Sequence, residues 1–190
     1  MNAWHLRLAV DTLRRGGLVL HATEGVWGFA CDPFDACAVE RLLALKGRDP
    51  ARGLIVIGAH SADFAPELDA LDPGERAEVE ASWPGPVTWV LPNRRFPCWI
   101  TGGRPTVAVR VPGHPQARAL CRAFGAPLVS TSANVSGRVP ARRRLQAVAL
   151  RTALAAPDAA DCYLLPGETQ GRRGPSEIRT LAGARLRSAS

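Results

Sequence analysis

Residues Ser130 to Gly137 read Ser-Thr-Ser-Ala-Asn-Val-Ser-Gly and follow directly on the apolar pair Leu128-Val129. Four hydroxyls, one carboxamide and a glycine are thereby placed at the end of a predicted strand. Hydroxyls, an amide side chain and free backbone N–H groups at such a position suit a phosphate or another anion. The same residue types also favour turns and helix N-caps. Their accumulation at one strand end favours a ligand site over a plain turn.

Three further polar segments stand at the ends of apolar elements: Thr23-Glu24-Gly25-Val26-Trp27-Gly28, Lys46-Gly47-Arg48 and Arg110-Val111-Pro112. Lys46 and Arg48, two apart in a turn, can both reach one polyphosphate, or can equally be solvated surface charge. Lys46 is the only lysine among 24 lysine and arginine residues. That suits a position needing a compact ammonium rather than a guanidinium fork. Arg110 ends the apolar run Thr106-Val107-Ala108-Val109 and needs an anionic partner there, either a ligand carboxylate or a structural ion pair. Trp27 and Trp83 can stack on a base or fill the core. Strand-end loops of an α/β sheet converge on one crevice, where ligands bind.

The elements that must position these segments alternate between helix and strand. Leu6, Val10 and Leu13 share one helical face within Trp4 to Arg15, which Gly16-Gly17 ends. Leu18 to Leu20, Leu54 to Ile57, Val87 to Leu91, Thr106 to Val111 and Tyr163 to Leu165 read as strands. Asp35 is placed to cap a helix carrying Val39, Leu42 and Leu43. Asp72 followed by Pro73 starts a second helix. Pro115 begins a third, with Leu120, Cys121 and Phe124 inward, and Leu145 to Ala155 is a fourth. Trp83-Pro84-Gly85-Pro86 is a rigid turn, and Pro92 to Pro105 and Pro166 to Pro175 are loops. This order predicts one α/β domain over residues 1–190 with a mostly buried sheet, its irregular intervals arguing against a simple doubly wound order.

Composition narrows the classes. Hydrophobic residues make up 46% of the chain, and no apolar run approaches a membrane span, so a cytoplasmic protein is expected. Five widely spaced cysteines with no Cys-x-x-Cys pair predict free thiols rather than a zinc site or disulfide framework. A net charge of +7 points to nucleotide phosphates, RNA or both, with one dense run at Arg142-Arg143-Arg144. The P-loop, Gly-x-Gly-x-x-Gly, Gly-x-Ser-x-Gly and His-Glu-x-x-His patterns are all absent.

Read together, Thr23-Glu24-x-x-x-Gly28, Lys46-x-Arg48, Trp83-Pro84-Gly85-Pro86-Val87-Thr88, Val109-Arg110-Val111, Ser130-Thr131-Ser132-Ala133-Asn134-x-Ser136-Gly137 and Pro175-Ser176-x-Ile178 resemble the YrdC/TsaC family of threonylcarbamoyl-AMP synthases, in family order and over almost the whole chain. The resemblance implies an open, twisted mixed sheet flanked by helices, with a large basic cavity. It implies that L-threonine, bicarbonate or CO2, and ATP give threonylcarbamoyl-AMP and diphosphate. Mg2+ would be carried by the ATP phosphates, with no metal site on the protein. Partner proteins would then use the product to modify adenosine 37 of tRNAs reading codons that begin with A.

Carried over residue by residue, the resemblance puts Lys46 and Arg48 on the ATP phosphates as the catalytic pair. Ser132, Asn134, Thr106 and Arg187 would lie on the nucleotide side. Thr23, Arg110, Thr131 and Ser176 would lie on the threonine side, Arg110 taking the carboxylate. His21, Trp27 and Arg52 depart from the family's usual residues; Trp27 keeps an aromatic wall, and Arg52 stands where Lys is frequent. The length resembles the short form of the family. Two other readings stay open: an RNA-binding or ribosome-associated module, motivated by charge and with direct tRNA contact, and a carbamoyl-adenylate enzyme of the hydrogenase-maturation type, against which the short length argues.

Overall fold

The computed structural model describes residues 2–153, 162–172, 174 and 176–187. Its strands are β1 (Leu18–Ala22), β2 (Trp27–Cys31), β3 (Ile55–Ile57), β4 (Val87–Pro92), β5 (Thr106–Arg110), β6 (Leu128–Ser132), β7 (Cys162–Leu164), β8 (Glu177–Thr180) and β9 (Arg185–Arg187). They form one open mixed sheet in the order β7-β1-β2-β6-β3-β5-β4-β8-β9. The pairs β1/β7, β3/β5 and β4/β8 are parallel. The helices are α1 (Ala3–Arg14), α2 (Ala36–Lys46), α3 (Ala65–Leu68), α4 (Pro73–Ala81), α5 (Cys98–Thr101), α6 (Pro115–Phe124) and α7 (Arg144–Ala153). None of the described helices is long and apolar enough to cross a membrane.

Both faces of the sheet are covered, because successive strand residues point to opposite sides. Val19, Ala30, Ile57 and Leu128 pack with Val10 and Leu13 of α1 and Leu120 of α6. Leu20, Trp27, Phe29, Val56, Val109 and Val129 pack on the other side with Val39 and Leu42 of α2 and Val79 of α4. The alternation continues past the apolar residues. Ser130 and Ser132 therefore fall on the face of Leu128, and Arg110, one residue beyond Val109, on the face of Ile57.

The caps act as their residue types predict. The Asp35 side chain accepts from the Ala38 N–H at 3.0 Å and starts α2, while Gly47, with φ 54° and ψ 42°, ends it. Lys46 is thereby fixed as the last residue of α2. Asp72 and Glu75 form a reciprocal capping box at the start of α4. The expected turn at Trp83–Pro86 contains a cis bond between Trp83 and Pro84.

Several elements differ from the sequence reading. The hydroxyl cluster does not begin beyond a strand. β6 runs through its first three residues, with Ala30, Phe29 and Gly28 of β2 opposite Ser130, Thr131 and Ser132. Because β6 lies between β2 and β3, both its neighbours hold it extended, and this overrides the turn preference of Ser and Thr. β2 itself was hidden in a segment read as a polar loop; all five of its residues are buried, so no alternation marks it. α3, α5, β8 and β9 also escape the periodicity, being four residues or fewer. The end of the expected helix past Ala153 and Pro175 of the Pro175-Ser176 motif lie outside the described residues.

Because Asp35 is the cap that sets where α2 begins, Asp35→Ala is expected to cost about 1 kcal/mol. It should lower the urea midpoint without changing the denaturant slope.

Candidate active site

A cleft of about 730 Å³, its open mouth included, lies over the neighbouring strands β2, β6, β3 and β5. Thr23, Arg48, Arg110, Thr131, Ser132 and Ser176, all expected at the site, line it together. Ser130 of the hydroxyl cluster lines it too, as do Glu24 and Arg172, to which the sequence assigned no individual role. Its charged lining residues are thus Arg48, Arg110, Arg172 and Glu24.

Arg110 has its anionic partner within the chain. Its Nη2 donates to Glu24 Oε2 at 3.3 Å, and both residues are buried. The other carboxylate oxygen of Glu24 accepts from the Gly113 N–H at 2.7 Å. Burial pushes the Arg110 guanidinium downward from its ordinary pKa, and the Glu24 carboxylate opposes that shift. Glu24 takes only part of the guanidinium fork: Arg110 Nε finds no hydrogen-bond partner among the described residues. The backbone of Glu24 also accepts from the Arg172 N–H at 3.0 Å, which ties the 166–176 segment to the cleft. Gly25 permits that approach, since a Cβ there would meet the Gly174 carbonyl oxygen and lie 2.8 Å from that of Arg172.

Lys46 is not on the cleft wall. The residue is 2% exposed, and its ammonium donates to the carbonyls of Ser132 and Asn134, the latter at 2.7 Å, and to Asn134 Oδ1 at 3.3 Å. Its own carbonyl accepts from the Ser136 N–H at 2.7 Å. All three ammonium protons are used on one turn, a convergence that a planar guanidinium fork cannot match. This gives the single lysine a physical reason. The ammonium is turned toward these carbonyls and not into the cleft. Burial, and then the neighbouring Arg48, lower its pKa to about 8, so the ammonium remains the main form at neutral pH. Arg48 donates from Nε and Nη2 to the Gly53 carbonyl, at 3.3 and 2.9 Å, and also lines the cleft.

The hydroxyls are oriented by their partners. Thr23 Oγ1 donates to the Val26 carbonyl at 2.6 Å. Ser132 Oγ donates to Asn134 Oδ1 at 2.6 Å, and Asn134 Nδ2 in turn donates to the carbonyls of Val135 and Arg138. Neither hydroxyl has a proton left for an anion; each offers lone pairs to the cleft. The hydrogen-bond donors of the cleft with protons to spare are on its arginines.

The remaining expected residues are placed elsewhere. Thr106 pairs with Pro92 at the far end of β5 and is not a cleft residue; four residues of strand put it about 13 Å from Arg110. The backbone of Arg187 pairs with Ile178 in β9, while its side chain lies outside the described part. Asn134 stands behind Ser132, off the cleft lining. Trp27 and Trp83 are buried in the core, so Trp27 is no aromatic wall of the cleft. A lone buried arginine could have led to Glu24, whose carboxylate sits beside Thr23 in the same motif.

Beneath Ser130 lies His21, fully buried. Burial above all lowers its pKa to about 4; the Ala22 carbonyl opposes it in part, and His114 and then Arg110 add smaller downward effects. The unfolded chain protonates His21 near pH 6.5, whereas the folded chain resists until pH 4. The contribution is therefore full above pH 6.5 and is lost as pH falls to 4, by about 3 kcal/mol. His21→Phe should flatten that part of the stability-versus-pH curve, read from urea midpoints. Glu24→Ala leaves Arg110 buried without its counter-charge. It should cost about 3 kcal/mol, and Glu24→Gln, which keeps an acceptor, distinctly less.

Comparison with known proteins agrees with this architecture. The family model Sua5_yciO_yrdC, described as telomere recombination, matches residues 11–188. The threonylcarbamoyl-AMP synthase of Halorhodospira halophila (strain DSM 244 / SL1) is 52% identical over 192 residues, covering 97% of this chain and 94% of that protein. The protein of the same name from Nitrosococcus oceani is 47% identical over 186 residues, covering 97% of each. Among solved structures, P. abyssi Sua5 complexed with L-threonine aligns with a TM-score of 0.86 at 31% identity over 98% of this chain. The chain spans 54% of that Sua5 chain. E. coli YciO, at 21% identity and a TM-score of 0.80 over 96% of this chain and 88% of its own, shares the fold. The chain belongs to the Sua5/YciO/YrdC family.

Proposed function

We propose that the chain is a threonylcarbamoyl-AMP synthase, a nucleotidyltransferase joining L-threonine, bicarbonate or CO2, and ATP. The observation that carries this reading is the composition of one cleft: a partly engaged guanidinium at Arg110, hydroxyls with free lone pairs at Thr23 and Ser132, and further cations at Arg48 and Arg172. Arg110 takes the amino-acid carboxylate through the donors that Glu24 leaves. Thr23, Thr131 and Ser176 complete the threonine side. Arg48 meets phosphate, and Ser132, backed by Asn134 and Lys46, lies on the nucleotide side.

The chemistry asks for positioning and charge neutralisation rather than a protein nucleophile. The threonine amine adds to CO2 with loss of a proton to solvent, or to bicarbonate with loss of water, giving a carbamate. A carbamate oxygen attacks the α-phosphorus of ATP, and diphosphate leaves. Lys46 serves this step as a positioning residue by holding the turn behind Ser132. Among the described residues Glu24 is the only carboxylate on the cleft lining and is occupied by Arg110 and Gly113, so Mg2+ fits here as an ion carried by the ATP phosphates. In the cytoplasm the product would go to partner proteins of tRNA modification, acting at adenosine 37.

Purified protein is expected to release diphosphate only when ATP, L-threonine and bicarbonate are all present. Arg110→Ala should lower kcat/KM for threonine about a hundredfold, the loss of a charge-assisted contact. Diphosphate release independent of any amino acid would sink the reading. An RNA-binding role would be favoured instead if Arg110→Ala were silent in cells while replacing Arg142 to Arg144 abolished function.

A further inference from the structure

His21 has no part in the reaction as described, yet it touches a cleft residue. Its Nδ1 lies 3.2 Å from the Ala22 carbonyl oxygen. A carbonyl can only accept, so Nδ1 carries the proton, and in the neutral ring Nε2 can then only accept. Nε2 lies 3.3 Å from Ser130 Oγ, so the Ser130 hydroxyl is the donor of that bond.

Ser130 thus joins Thr23 and Ser132 as a cleft hydroxyl whose proton is spent inside the protein. Its lone pairs are left for a ligand that brings a donor. An amino acid whose carboxylate sits on Arg110 brings that donor as its amino N–H. We propose that His21 is a positioning residue which, by taking the proton of Ser130, makes that hydroxyl an obligate acceptor for the amino group of the bound amino acid. The proposal rests on the synthase reading above. Its consequence is discrimination: an acid with no amino group leaves a buried acceptor unpaired, a penalty that binding sites use to reject near-isosteres.

The test compares two probes by calorimetry: L-threonine, and (R)-3-hydroxybutyrate, which keeps the carboxylate and the hydroxyl but lacks the amine. Ser130→Ala and His21→Phe are each expected to weaken L-threonine about tenfold. Binding of (R)-3-hydroxybutyrate should not weaken, and in Ser130→Ala should tighten because the unpaired acceptor is gone, while binding of ATP should change less than twofold. The double variant should be no weaker than either single one, since both act through one hydrogen bond. Full threonine affinity in His21→Phe, or equal losses for both probes, would overturn the role of His21. Should His21→Phe not fold, nitrogen NMR of the unaltered chain decides the same point: the proton is expected on Nδ1 between pH 5.5 and 8, and a proton on Nε2 would overturn it. If the unaltered chain binds no L-threonine, the synthase reading falls and this proposal with it; if it binds threonine and only the variants disagree, the proposal falls alone.

Discussion

A guanidinium embedded in an apolar sheet must have a counter-charge, and much of this site follows from how Arg110 obtains one. Its neighbours on β5 and β3 are Val109 and Ile57, which offer nothing polar. The carboxylate arrives from the end of β1 through Glu24, which is itself held by the Gly113 N–H and by the chain at Arg172. One ion pair therefore ties together three segments far apart in sequence. It neutralises Arg110 while leaving part of its fork for another anion, which a fully bidentate internal pair would not.

A second clamp closes the other side. Lys46 stands at the C-terminus of α2, where a cation also suits the helix dipole. Its three bonds fix the backbone that follows β6, and Asn134 passes the constraint on to Ser132. The cleft is thus framed by two buried cations of different shape. The fork, with donors to spare, lines the cleft; the compact ammonium, with none to spare, sits behind the wall.

Much of this was legible in the sequence wherever a residue type has one dominant local use. Asp35 and Asp72 marked helix starts because their short carboxylates cap orphan N–H groups. Arg110 was marked by charge at the end of an apolar run, and the hydroxyl cluster by density. What stayed hidden depends on neighbours in space. That Ser130 to Ser132 are strand residues is decided by β2 and β3 on either side of them, and β2 lost its period by being buried on both faces. Thr106, expected on the nucleotide side, stands at the opposite end of β5 from Arg110, and its distance from the cleft lining depends on the length of that strand. Lys46 was singled out by its rarity, but the direction of its side chain, toward the carbonyls of Ser132 and Asn134, is a tertiary fact.

The enclosure of Lys46 also gives the molecule an unusual chemical surface. It is the only ε-amine of the chain, and its nitrogen is sequestered under the turn that it braces. Reagents that acylate or carbamylate lysines meet no ε-amino group on the outside of the folded protein. A protein proposed to turn one amine, that of its substrate, into a carbamate thus exposes no side-chain amine of its own to compete.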